Sequence, residues 1–180
     1  MARDYRPKRR RYLDDFKLNE NLKYVYTGNV YIQKGDAKKT TVAVTVASVF
    51  MLLSTIGSGV FRSAGMTDCF YVILPYVAEV AALFALLWSS VTVITGKGKL
   101  RAYRYERGIK NFPVRAVLYA AFCGIGLLCS ILYVILNGFS GMTFETVCYW
   151  VMKAAEAAAA ILLRGYIASL EWDVVSGETD

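Results

Sequence analysis

Three ionisable residues, Glu79, Lys153 and Glu156, lie inside otherwise almost wholly apolar stretches of this 180-residue chain, and their types can do chemistry. Lys153 and Glu156 are three apart, so on a helix they share a face and can pair. Ionisable groups near the centre of a hydrocarbon layer cost about 2.5 to 3.5 kcal/mol each on insertion scales. They therefore face protein or water and take a partner, which for Lys153 is either Glu156 or Glu79 across a bundle. Two carboxyls against one ammonium leave a negative charge in excess, and a dry site removes it by keeping one carboxyl neutral. Pro75 lies one helical turn before Glu79, removes a backbone donor and is expected to kink its helix. An opened helix beside a carboxylate is one way to build a proton or cation site near the midplane of a membrane. The same residues also read as a structural ion pair joining two helices.

Other chemistries find little support. The chain has no histidine, which removes the commonest general base and the commonest transition-metal ligand. Its four cysteines form no Cys-x-x-Cys, and Cys123 and Cys129, six apart on one helix, point in nearly opposite directions. Cys69 and Cys148 differ in depth by about 7 Å at 1.5 Å per residue, at the limit for a disulfide. The cysteines therefore read as small apolar packers. With no phosphate-binding glycine loop either, no catalytic residue, metal site or cofactor is expected, and the chain does not read as an enzyme.

The elements that must position the three charges are four apolar runs, about 41–61, 69–95, 113–136 and 143–166. Each is about the 20 residues that a helix needs to cross a hydrocarbon core about 30 Å thick. Because hydrocarbon offers peptide groups no partner, each run can hide its backbone only as a helix. The expected fold is an all-α integral membrane protein, a four-helix transmembrane bundle over 41–166. A mean hydropathy of +0.39 alongside a net charge of +7 requires the charge to be segregated. It is: 11 of the 21 Lys and Arg precede the first run, seven lie between Lys97 and Arg115, and Arg62 alone lies between the first two runs. Basic loops stay inside, so both termini and the loop at 96–112 are expected in the cytoplasm. Without an apolar leader-like stretch in the first forty residues or a sizeable outer domain, the expected location is a prokaryotic plasma membrane.

Within the cytoplasmic segment 1–40, the alternating stretch 22–33 flanks Gly28-Asn29, turn residues that favour a small β-hairpin. The cluster Arg6, Lys8, Arg9, Arg10 and Arg11 keeps the N-terminus inside and can contact anionic lipid at about 1 kcal/mol per basic residue; nucleic acid is a weaker candidate. Residues 167–180 are expected as a cytoplasmic tail. Most aromatics, Tyr119 and Tyr149 included, are expected in the interfacial belts. Ala116, Ala120 and Gly124 recur every fourth residue, a stripe of small residues expected to pack against another helix. Ser54, Thr55, Gly57, Ser58 and Gly59 form either a polar vestibule or a flexible helix end. Two functions fit these features: a small interaction or assembly subunit of a membrane complex, or an oligomeric small-solute or ion transporter with a proton-responsive carboxyl site. The expected partners are the bilayer and either further copies of the chain or another membrane protein.

Overall fold

The computed structural model of the chain describes residues 16–18, 24–60, 69–138 and 143–176. In chain order the elements are β1 (Phe16–Leu18), β2 (Tyr24–Tyr26), β3 (Val30–Gln33), α1 (Ala37–Val60), α2 (Phe70–Gly96) and β4 (Lys99–Arg101). A short helical turn, α3 (Ala102–Arg104), then runs through a π-helical turn (Tyr105–Ile109) towards α4 (Phe112–Asn137), and α5 (Phe144–Ala168) and β5 (Trp172–Val175) follow. Among the described residues, four helices are long and apolar enough to cross a membrane, the third of them reaching from Ala102 to Asn137. The basic cluster at 6–11 lies outside the described residues.

Many hydroxyls of these helices are satisfied from within. Thr41, Thr45, Ser90 and Thr92 each turn the hydroxyl back to the carbonyl four residues earlier, so hydroxyls can sit in apolar stretches without stranded donors. Asp36 caps α1, its Oδ1 accepting from the amides of Lys38 at 3.0 Å and Lys39 at 3.3 Å. That cap starts α1 at Ala37, four residues before hydropathy alone placed it. Pro113 sits in the first turn of α4, where its missing N–H costs no helical bond. Pro75 does not interrupt α2, which is helical throughout. Large apolar side chains such as Phe70, Trp88, Phe144 and Leu162 lie exposed around the bundle, a belt of a kind that water-facing monomers rarely carry.

The principal helix contacts run α1–α2, α2–α4, α4–α5 and α5–α1, a ring in which α2 faces α5 and α1 faces α4 across the diagonals. At one end the chain forms a three-stranded antiparallel sheet with β3 between β4 and β5; Tyr31 is opposite Leu100 on one side and Val174 on the other. The strands precede α1, follow α2 and follow α5, so those three helix ends lie together.

The sheet corrects the expected hairpin at 22–33. Gly28-Asn29 does separate two strands, but β2 pairs with β1, Phe16 opposite Tyr26, while β3 is paired by β4 and β5. The Asn29 carbonyl accepts from the Ala102 amide at 3.0 Å. Tyr31 stacks on Tyr105 with centroids 3.9 Å apart, and Trp172 meets Tyr105 edge-on at 5.4 Å. A central strand with two partners and an aromatic cluster outbids a two-strand hairpin, and those partners are distant in sequence. The tail at 167–180 is correspondingly not all tail, since β5 lies in it. An ion pair of 3.0 Å between Lys34 and Asp173 flanks β3 and β5, and Asp173 holds the lysine above its ordinary pKa. Its small contribution is therefore present below the ordinary lysine range and lost only as pH rises through the raised value.

The small-residue stripe also needs correction. Ala116 is buried and Ala120 packs at the edge of the core, but a side chain at Gly124 would meet nothing within 4 Å. Steps of four overshoot the 3.6-residue turn by about 40° each, so the stripe drifts off the contact face. That face is Phe112, Ala116, Tyr119, Cys123, Gly126, Ser130 and Val134, in steps of three and four. Gly126, not Gly124, is its close point: a Cβ there lies 3.5 Å from the Tyr149 hydroxyl and 3.9 Å from Pro75. Gly126→Leu should destabilise the protein by about 1 to 3 kcal/mol through overpacking, while Gly124→Leu should leave stability unchanged or raised. Unfolding of the two variants in detergent checks this; a larger loss at Gly124 would contradict the assignment of the face.

Candidate functional site

The three charged residues meet. Glu79 and Lys153 each lie nine residues beyond the first residue of their helix, α2 and α5. Both helices start at the end opposite the sheet, so both residues sit about 13 Å in at 1.5 Å per residue. Across the α2–α5 diagonal, Lys153 Nζ donates to Glu79 Oε1 at 2.6 Å, and along its own helix to Glu156 Oε2 at 3.1 Å. All three side chains have zero solvent exposure.

The second diagonal is polar too. Tyr119 of α4 donates its hydroxyl to Glu156 Oε2 at 3.2 Å, and its oxygen lies 2.8 Å from Thr55 Oγ1 of α1. Since Tyr119 spends its proton on Glu156, the Thr55 hydroxyl is the donor in that contact. The Cys123 thiol reaches the same Glu156 oxygen at 3.7 Å, so three donors converge on one atom. Tyr76 and Tyr149 flank the ammonium, their ring centroids 5.3 and 5.4 Å from Lys153 Nζ, which is cation–π range. A side chain at Gly59 would collide with the Tyr76 hydroxyl. Glycine there lets that hydroxyl reach the Thr55 carbonyl at 3.0 Å. All four long helices thus contribute to one cluster.

The cluster is not fully satisfied. Glu79 Oε2, Glu156 Oε1 and the Tyr149 hydroxyl are buried with no hydrogen-bond partner among the described residues. With both carboxyls ionised its net charge is minus one. Such an arrangement can hold a cation or pass a proton along hydrogen bonds.

Sequence reasoning matched Glu79 with Lys153 in depth and joined Glu156 to Lys153 by its spacing, but missed their surroundings. Tyr119 and Tyr149, expected in the interfacial belts, are fully buried, because a phenol can supply a hydrogen bond or an aromatic face to a buried charge. The usable signal was spacing: Tyr149 is four before Lys153, Tyr76 three before Glu79, and Tyr119 four before Cys123 on one face. Ser54, Thr55 and Ser58 are buried on the inner face of α1 and do not line an open vestibule. Pro75 lies near the cluster, beside Gly126 and Tyr149. The four cysteines are unpaired, but Cys123 belongs to the polar cluster and is no mere apolar packer. Comparison with protein-family models, with curated proteins and with solved structures finds no match.

Removing Lys153 strands buried carboxylate charge, so Lys153→Met should cost about 3 to 5 kcal/mol. Lys153→Met with Glu79→Gln should cost less than the sum of the two single changes. A double-mutant cycle on unfolding in detergent, repeated with Glu156→Gln, measures this; additivity in both cycles would mean that no pair exists.

Proposed function

We propose that this chain is a small multi-pass protein of a prokaryotic plasma membrane, serving as an interaction or assembly subunit of a larger membrane complex. The exposed apolar belt supports insertion, and the basic residues of 97–115 favour a cytoplasmic location for the sheet end. The observation that carries the assembly reading is the sheet itself. Three separated segments are tied into one platform whose edge strands, β4 and β5, offer backbone groups to a partner strand. Val174 and Val175 of β5 are exposed. The cluster Arg6 to Arg11 would add contact with anionic lipid.

A second reading, an oligomeric ion or small-solute transporter, has an observation of its own. Burying one more carboxylate than ammonium is a poor way to gain stability, and intramembrane charge marks ion pathways. Four slim helices enclose little room, so a solute path would require several copies.

The experiment combines topology with capture. Single cysteines replacing Ala64 and Ser140 in a cysteine-free background should label from outside, and those replacing Tyr103 and Ser176 only after permeabilisation. A photo-crosslinker at Val174 should give one discrete protein adduct in native membranes, and one at lipid-facing Val151 should give none. Outside labelling at Tyr103 would invert the orientation. Absence of the Val174 adduct, with proteoliposome proton or cation flux lost in Glu79→Gln, would replace assembly by transport.

A further inference from the structure

We propose that Glu79, Cys123 and Glu156 form a site for one thiophilic divalent cation, of the zinc or cadmium kind, in the interior of the bundle. The inference goes beyond both functional readings, since such an ion could brace an assembly subunit or be a transporter's cargo. Three observations carry it. One ligand atom from each of the three residues, two carboxylate oxygens and the Cys123 sulfur, lies within 4.8 Å of the others, and all three residues are buried. Adjustment of about 1 Å would close that spread to the edge of a tetrahedral shell with zinc bond lengths of about 2.0 to 2.3 Å. Each carboxylate keeps one buried oxygen without a hydrogen-bond partner, Glu79 Oε2 and Glu156 Oε1, and the buried hydroxyl of Tyr149, whose ring centroid lies 5.4 Å from Lys153 Nζ, is unpartnered as well.

Charge and softness select the ion. Two carboxylates and a thiolate, with Lys153 retained as ammonium, sum to minus two, which one divalent cation cancels. A sulfur donor favours zinc or cadmium, whereas magnesium and calcium prefer all-oxygen shells. In the binding step the Cys123 S–H bond and the O–H bond of the carboxyl held neutral both break, the two protons leave to the buffer, and the freed sulfur and oxygen electron pairs form bonds to the cation. Nothing is oxidised or reduced. Lys153 keeps its contacts with Glu79 Oε1 and Glu156 Oε2, and so remains a fixed positive charge that neutralises part of the carboxylate charge and limits the site to one ion.

The test uses the full chain, purified in mild detergent, stripped with a chelator and titrated with cadmium chloride and zinc chloride. Metal per chain is measured after gel filtration, and the ultraviolet thiolate-to-cadmium charge-transfer band reports sulfur ligation. One ion per chain is expected, with the band present and an excess of magnesium unable to displace it. Cys123→Ser should abolish the band and weaken binding by more than about tenfold, while Cys129→Ser and Cys148→Ser should keep both. Cys123→Ala gives the same reading if the serine variant is lost in purification. Glu79→Gln should lower affinity without removing the residual cadmium band. No metal retained by the wild-type chain, a band that survives both Cys123 substitutions, or affinity unchanged in both Glu79→Gln and Glu156→Gln would overturn the site.

Discussion

A lysine ammonium fully enclosed in an apolar bundle must be met by carboxylate oxygens, and this requirement at Lys153 organises the rest of the molecule. Taking each ion out of water costs several kcal/mol, which the pair recovers only with close geometry and further hydrogen bonds. The 2.6 Å contact to Glu79 supplies the geometry, and Glu156, itself held by Tyr119 and Cys123, supplies the rest. Because Glu79 and Lys153 come from diagonally opposed helices, their contact fixes how far α2 and α5 slide and how each is rotated. The Thr55 to Tyr119 hydrogen bond does the same for α1 and α4. Apolar packing tolerates small slips of one helix along another; a charge pair at one depth does not.

The constraint reaches the sheet through helix length. Once the cluster sets the depth of all four helices, the ends of α2 and α5 arrive beside the start of α1, where β4, β3 and β5 can pair. The Gln33 amide nitrogen, 2.6 Å from Thr40 Oγ1, and that oxygen, 3.1 Å from the Tyr166 hydroxyl, join sheet to α1 and α5. Arg115 ties α4 to α2 nearer that end, reaching the Ala85 carbonyl at 3.2 Å and Ser89 Oγ at 2.5 Å. The charged interior and the sheet are therefore parts of one frame.

What could be read in the sequence follows from the range of the physics. The long helices were legible because the length and apolarity of a segment are local properties, and the depth match of Glu79 with Lys153 followed from counting along them. The start of α1 was displaced because a cap at Asp36 extends a helix beyond its apolar part. The hairpin failed because Gly28-Asn29 specifies a turn and says nothing of the strands at 99–101 and 172–175 that capture β3. Gly124 failed for a different reason: a four-residue repeat resembles a helix face over one turn and leaves it over two. Tyr119, Tyr149 and Cys123 were hidden because an aromatic or thiol has a common apolar use, and only a charge on another helix gives it a polar one.

The central claim is that the Lys153 ammonium sits against the Glu79 carboxylate inside the bundle, and magic-angle-spinning NMR tests it without a mutation. With lysine side-chain nitrogen and glutamate carboxyl carbon isotope-labelled, and the chain reconstituted in lipid, the dipolar coupling between them is measured directly. A lysine signal protected from solvent exchange, strongly coupled to a carboxyl carbon as the 2.6 Å contact to Oε1 requires, is the result this account predicts. If every lysine nitrogen exchanges freely with water and none couples to a glutamate carboxyl, the buried pair does not exist and the frame built on it falls.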